Sequence, residues 1–488
     1  MKWLYFILLV AALAGAACTP DNDRAPPQRP NIILLMADDV GWGDAGYQGH
    51  ETLQTPNIDA MAAKGLILDR FYAAAPVCSP TRASVLTGRH PNRSGIFFAL
   101  MDQSRNALPQ DEVTLAEVLR ADGYRTAFFG KWHLGGMSHE IEDGRLSGIG
   151  RPEMISPPWQ HGFDRVFATE SRVPTYDPMI RPALEFGEWE GPKSALLKEP
   201  TRGYWEPVWD PEDAVFFGTR YWHEDGTFEK ENLGGDDSRV IMDRVEPFIR
   251  ESAASDQPFF AVVWFHTAHL PVVAGIEDQY PYRNESFYDR LYHGAISGMD
   301  REIGRLRSLL KETGQYENTV LWFTSDNGPE TLGDLTPGSA GGLRGRKRSL
   351  FEGGIRVPGV IEWPARIKAG SRTATPAVTS DIFPTVLAWA GVQGPVDRPM
   401  DGEDLAPVID EGSARSTPIM FESRHQLALI DGPWKIVHQP NKKAAGDNTV
   451  ERDTLNTDLE PQYSLFNIEQ DPAEAIDLAE QHPEVVKR

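Results

Sequence analysis

The sequence predicts an α/β sandwich: a large, mixed but mostly parallel sheet covered by helices, with a small antiparallel sheet appended C-terminally. Three observations predict it. Continuous apolar runs recur between residues 31 and 361, as expected of strands buried on both faces. Helical stripes fall between those runs, and strand–helix alternation builds layered α/β folds. After about residue 395 the runs become short and closely spaced, the pattern of an antiparallel meander.

Asn31 to Ala37 is the first run, and it ends in an acidic turn. Ala127 to Phe129, Phe259 to Phe265, Thr319 to Phe323 and Val357 to Ile361 repeat the pattern. Glu112 to Ala121 is expected to be helical, with Asp111 as its cap. From Phe287 a stripe continues through Leu291, Ala295, Met299, Ile303, Leu306 and Leu310, mostly every fourth residue. Asp381 to Ala390 is a shorter helix ending at Gly391. Pro418 to Phe421, Leu427 to Ile430, Trp434 to Val437 and Tyr463 to Phe466 predict the small sheet, and Asp471 to Lys487 is acidic and partly helical. The expected division is a large domain over 30–395 and a subdomain over 396–488. Residues 142–237 fit neither pattern. They are rich in Gly, Pro and aromatics and hold Trp159, Trp189, Trp205, Trp209 and Trp222. Such rings either pin long loops to the core or form a wall on which sugar rings stack.

The N-terminus reads as a signal peptide over 1–17, with Lys2, the apolar run Trp3 to Leu13 and small residues before Cys18. That pattern is the one of a bacterial lipoprotein, whose cysteine becomes lipidated; cleavage after Ala16 or Ala17 without lipid is the alternative. Residues 18–29 are polar and Pro-rich, a tether. The expectation is export, to the periplasm or as an outer-membrane lipoprotein anchored only through Cys18. A net charge of −23 argues against nucleic-acid binding, and any polyanionic substrate would need a local basic cluster. The chain has two cysteines. With Cys18 lipidated or removed, Cys78 is a lone exported thiol with no disulfide partner.

Ser79 and Pro80 suit a helix cap and first turn, which places Cys78 just before a helix N-terminus, where negative charge is favoured. Arg82 lies one turn along, able to reach back. Asp38 and Asp39 follow the first buried strand, and Asp326-Asn327-Gly328 follows another. Strand ends are where ligands gather in such sheets. Three carboxylates and an amide are hard donors, suited to Ca²⁺ or Mg²⁺ rather than zinc. A solvated acidic turn is the plain alternative at each position. Lys131 and His133 stand in Gly130-Lys131-Trp132-His133-Leu134-Gly135 and would point the same way if strand geometry persisted. His266 and His269 stand at another strand end. Arg344, Arg346, Lys347 and Arg348 supply the basic cluster, just before Glu352-Gly353-Gly354-Ile355-Arg356-Val357-Pro358. Together these describe a site for an anionic tetrahedral group.

In order and over nearly the whole mature chain, these residues resemble the type I, formylglycine-dependent sulfatases of the alkaline phosphatase superfamily. The resemblance rests on Cys78-x-Pro80-x-Arg82 with its following helix, Gly-Lys-Trp-His-Leu-Gly and Glu-Gly-Gly-Ile-Arg-Val-Pro. It implies an alkaline phosphatase-like fold. It further implies that a maturation enzyme oxidises Cys78 to formylglycine (3-oxoalanine), whose hydrate attacks the sulfur of a sulfate ester. Calcium would be held by Asp38, Asp39, Asp326, Asn327 and residue 78. Arg82 and Lys131 would stabilise the diol and sulfate. His269 with Lys347 would serve the departing alcohol, with His266 as a substitute for His269. His133 would act as base in releasing sulfate. The stretch Ala168 to Pro178 resembles a loop of bacterial sulfatases acting on marine galactans such as carrageenan, so a sulfated algal polysaccharide is the expected substrate. Ulvan, glycosaminoglycans and aryl sulfates are alternatives. Rival readings are a phosphate-ester or phosphonate hydrolase on the same scaffold and a sulfated-glycan-binding lipoprotein without turnover.

Overall fold

The computed structural model describes residues 29–102, 104–182, 203–255, 257–331, 337–438 and 463–488. The expected signal peptide, Cys18, Trp189 and all of the tether but Arg29 lie outside the described residues. The strands in chain order are β1 (Asn31–Ala37), β2 (Leu66–Leu68), β3 (Phe71–Tyr72), β4 (Arg125–Lys131), β5 (Arg165–Thr169), β6 (Ile180–Pro182), β7 (Ala214–Phe216) and β8 (Trp222–His223). They continue with β9 (Phe259–Trp264), β10 (Thr319–Ser325), β11 (Gly359–Glu362), β12 (Ser371–Thr373), β13 (Ala377–Val378), β14 (Ile419–Ser423), β15 (Gln426–Asp431), β16 (Trp434–His438) and β17 (Tyr463–Asn467).

Nine strands form one sheet in the order β12-β2-β11-β10-β1-β9-β4-β5-β8. The central run β10-β1-β9-β4-β5 is parallel, and antiparallel pairings begin at β11 and at β8. This is the mixed, mostly parallel α/β sandwich that the apolar runs predict. Alternate residues of β1 feed opposite faces. Ile32, Leu34 and Met36 pack with the helices Cys78–Thr87, Leu115–Ala121 and Ile382–Ala390. Ile33, Leu35 and Ala37 pack with Pro56–Lys64, Asp237–Ala253 and Phe287–Glu312. All seven residues of β1 are buried, which is why the run is apolar without alternation.

The C-terminal strands β14-β15-β16-β17 form a four-stranded antiparallel sheet. Its inner face, with Ile419, Phe421, Ala428, Ile430, Val437 and Phe466, packs on Tyr72, Leu350, Phe351 and Ile355. Burying a residue such as Phe421 contributes about 1.5–3 kcal/mol, so this face fastens the sheet beside residues 350–355.

Two expectations are corrected. The helix expected from Glu112 begins at Leu115, because Thr114 rather than Asp111 caps it. The Thr114 side chain accepts from the Glu117 amide while Glu117 accepts from the Thr114 amide, a reciprocal pairing that outcompetes a lone aspartate upstream. The stretch 142–237 is also not all loop, since it supplies β5 and β8 to the large sheet and the β6–β7 ribbon. Its aromatics divide accordingly. Trp222 is buried in β8, with its indole N–H on Asp143, so it pins the chain, whereas Trp209 stands exposed.

Candidate active site

Four neighbouring parallel strands deliver the site at their carboxyl ends. Registers Ala37↔Ser325, Met36↔Trp264 and Gly130↔Trp264 align the ends of β1, β10, β9 and β4. The residues that follow, Asp38-Asp39, Asp326-Asn327 and His266 to His269, therefore emerge side by side with Lys131, the last residue of β4. This is the ligand position expected of an open α/β sheet.

Ligand atoms of Asp38, Asp39, Cys78 and Asp326 all lie within 4.8 Å of one another, and all four residues are buried. Asn327 donates its amide N–H to Asp39 at 2.7 Å, while its Oδ1 is buried without a hydrogen-bond partner among the described residues. Unpaired buried oxygens are costly unless something accepts them as ligands. Three carboxylates plus that oxygen fit a hard divalent cation. Burial, then Asp326, pushes Asp38 up to about 7, and burial likewise raises Asp39. Asp326 goes the other way. Burial opposes ionisation there too, but Arg82, Lys131 and Lys347 outweigh it and hold the carboxyl low. A dication beside Asp38 and Asp39 would supply the charge they lack.

The helix that carries Cys78 differs from the expected register. The helix begins at Cys78 itself, with Val77 as cap residue, so neither Ser79 nor Pro80 starts it. The Ser79 hydroxyl instead accepts from the Leu100 amide at 3.0 Å, tying the helix to the 98–101 segment. Gly88 closes the helix in the left-handed conformation (φ 66°). Cys78 sits in the first turn, at the positive end of the helix dipole. Burial, then Asp326, pushes its thiol upward, so as a cysteine it is neutral. Arg82 reaches back to the carboxylates beside Cys78, with Asp38 3.4 Å from its guanidinium. Its guanidinium donates to Asp326 Oδ2 at 2.7 and 3.1 Å and to the Lys131 carbonyl at 2.8 Å, and lies over Trp264.

Cys78, Lys131, His133, His269 and Lys347 line one cavity of about 290 Å³. Lys131 pairs with Asp38, and Lys347 donates to Asp39 at 2.6 Å. His133 reaches the cavity by a different route from the expected one. The strand ends at Lys131, and His133 adopts φ 56°. Its Nε2 bonds the Leu100 carbonyl at 3.0 Å, and a carbonyl only accepts, so Nδ1 carries the lone pair. Burial, then Lys131, keeps this ring well below its ordinary 6.5. His269 is neutral for the same reasons, burial first, then Lys131 and Lys347. Its Nδ1 bonds the Leu270 carbonyl, which leaves Nε2 free to face Asp39 at 3.8 Å. His266 is turned away from the cavity. Its nitrogens are held by Asp237 at 2.8 Å and Thr169 at 2.7 Å.

The basic cluster divides. Lys347 and Arg348 line the cavity, whereas Arg344 lies over Phe351 and Arg346 bonds the Glu330 and Gly338 carbonyls. Glu330 was not legible in advance. It pairs with Lys347 and Arg348, which overcome burial and hold its carboxyl at about 2. Its only signal is its place three residues past Asn327, on the same strand-end turn.

A family model described as sulfatase matches residues 30–392. The N-acetylgalactosamine-6-sulfatase of Canis lupus familiaris is 34% identical over 439 residues, covering 88% of this chain and 74% of the relative. The steryl-sulfatase of Mus musculus is 33% identical, covering 85% and 70%. Among solved structures, Ps i-CgsB in complex with k-i-k-neocarrahexaose is 26% identical with a TM-score of 0.73, covering 94% of this chain and 90% of that one. The chain belongs to the type I sulfatase family and is a sulfuric ester hydrolase.

Proposed function

We propose that this sulfatase acts on a sulfated galactan of the carrageenan type or its oligosaccharides, using calcium and a formylglycine made from Cys78 by a maturation enzyme. The observation that carries the reading is the convergence of Cys78, Lys131, His133, His269 and Lys347 on one cavity backed by three carboxylates. The galactan is supported by the likeness to a protein solved with a neocarrahexaose, together with the Ala168 to Pro178 resemblance. We take the chain to be exported, by the reading of residues 1–17, and the domain limits 30–395 and 396–488 to hold as expected.

Asp38, Asp39, Asp326, Asn327 and residue 78 would hold the calcium, which when bound supplies Lewis-acid stabilisation of negative charge on sulfate oxygens. A formylglycine at residue 78, once formed and hydrated, would supply a hydroxyl nucleophile for sulfur and a second hydroxyl for release of the sulfate. The remaining work falls to residues of this chain. Arg82 positions Asp326 and Asp38 rather than touching substrate. Lys131 and Lys347 present ammonium groups to the anion, preorganised by the carboxylates behind them. Lys347 stays protonated because Asp39 and Glu330 overcome its burial. His269, neutral when the cavity is empty, gains basicity when a sulfate sits against it, and Nε2 is where a proton passes to the departing alcohol. His133, neutral with a bare Nδ1, is suited to take a proton.

Peptide mass spectrometry of exported protein tests the central element. The expected mass at residue 78 is that of formylglycine, and Cys78→Ser is expected to be inactive. An unmodified thiol in active enzyme would refute the mechanism.

A further inference from the structure

The cavity at Cys78 holds more positive charge than the reacting sulfate explains. Lys131 and Lys347 face the metal-site carboxylates, and Arg348 pairs with Glu330. Three further arginines, Arg145, Arg172 and Arg424, line the same cavity. Glu330 is the one carboxylate among the described lining residues, where two of the inner cations engage it, and the buried Glu170 acts on Arg145 and Arg172 from outside the lining. In a chain of net charge −23, this local excess runs against the whole.

Arg424 arrives in a way that costs stability. Strands β14 and β15 pair Ser423 with Gln426, which leaves the two-residue turn Arg424-His425. Both residues have left-handed φ, 47° and 68°. Such hairpin turns favour Asn-Gly, and a side chain with a β-carbon is strained at each position. The sequence nonetheless puts arginine there, with its guanidinium over the Phe98 ring at 5.7 Å, on the cavity wall. Strain retained at a site rim signals use. Arg172 comes from the loop after β5. Burial, then the neighbouring Arg145, draws it down to about 9 against the opposing pull of Glu170, Asp102 and Glu330. Phe98 and Met101, both partly exposed beside the arginines, offer apolar surface for a sugar face.

We propose that Arg145, Arg172 and Arg424 form a second anion subsite, which takes a charged group of the substrate other than the reacting sulfate. That group is a second sulfate ester or a uronate carboxylate on the same or the adjoining sugar. The inference rests on the cavity being the sulfate-ester site. It makes the C-terminal sheet part of substrate selection.

The test uses three disaccharides: one with a single sulfate, one with a second sulfate, and one with a sulfate and a uronate. Wild-type enzyme is expected to prefer at least one dianionic substrate by about tenfold in kcat/KM, the equivalent of one modest charge-assisted contact. The source of the anion is given by which one. Arg424→Asn suits the turn better than arginine, so it folds at least as well, yet it is expected to erase most of that preference through KM. Arg172→Gln should do the same, and Arg424→Lys should retain part of it. The preference should shrink with added salt. Absence of any preference in wild type, or an equal loss on all three substrates in Arg424→Asn, would overturn the subsite. Calorimetric titration of the Cys78→Ser protein with the disulfated disaccharide separates the two readings. Arg424-dependent binding without wild-type turnover sinks the proposed substrate and keeps the subsite. Turnover with Arg424-independent binding does the reverse.

Discussion

Replacing Lys435 by methionine should destabilise the protein severely, and the loss should grow with pH. Lys435 stands on β16 with its side chain fully buried. Its Nζ lies 2.9 Å from carboxylate oxygens of both Glu352 and Glu474, donating a hydrogen bond to the first and pairing with the second by charge. Both carboxylates are themselves buried. Methionine keeps the volume but leaves two like charges facing each other, with Arg356 3.4 Å from Glu352 and Arg344 bonded only to the Glu474 carbonyl among the described residues. Breaking a buried pair in this way costs about 3–5 kcal/mol. Glu474 already shows the pressure. Burial, then Glu352, raises it from its ordinary 4.5 to about 7. A raised carboxyl binds more protons folded than unfolded, so its contribution is complete below about 4.5 and is lost as pH rises through about 7. Without Lys435 that slope steepens, because protonation becomes the only relief. Denaturant unfolding followed by tryptophan fluorescence should give a loss of about 3–5 kcal/mol at pH 8 and a clearly smaller one at pH 5. Lys435→Met with Glu474→Gln should recover at least half. A loss under about 1 kcal/mol, or one that ignores pH, would refute the argument, since that is the size of an exposed pair.

Three other outcomes are expected. EGTA should abolish activity and calcium restore it, while Asn327→Leu should weaken calcium binding at least tenfold by calorimetry, because it removes the unpaired Oδ1; activity that survives chelation would sink the metal assignment. His269→Ala should lower kcat by about 10²–10⁴ on a sugar sulfate, with a smaller loss on a nitrophenyl sulfate, whose leaving group needs no proton; equal losses would remove His269 from leaving-group assistance. Thr114→Ala should cost about 1 kcal/mol in denaturant unfolding and Asp111→Ala much less; the reverse order would contradict the observed cap.

The place of the candidate site was legible in the sequence wherever a side chain followed a buried strand. Asp38, Asp39, Asp326, Asn327 and Lys131 each sit directly at or after such a run, and parallel registry brings strand ends together by necessity. Local choices decided by competition were less legible. Val77 precedes a helix that starts at Cys78, although Ser79 and Pro80 are better starters, because the Ser79 hydroxyl is engaged by Leu100. The arginines of 344–348 look alike in sequence, yet two bind backbone or an aromatic face and one pairs with Glu330. Burial by neighbours distant in the chain makes that distinction, and no periodicity encodes it.

The same reasoning explains why the C-terminal sheet looks like an appendage in sequence and acts otherwise in the fold. Its strands alternate simply, as a half-buried sheet does. The buried face lies against residues 350–355, immediately after Lys347 and Arg348. Lys435 grips Glu352 from behind, and the Arg424 turn reaches the cavity in front. A sheet attached at both points cannot shift without moving the Lys347 loop or opening the cavity rim. The discrimination between substrates therefore depends on the docking of this sheet. A variant that loosens it, such as Phe421→Ala, should lose selectivity for dianionic sugars at temperatures well below its loss of tryptophan-detected structure.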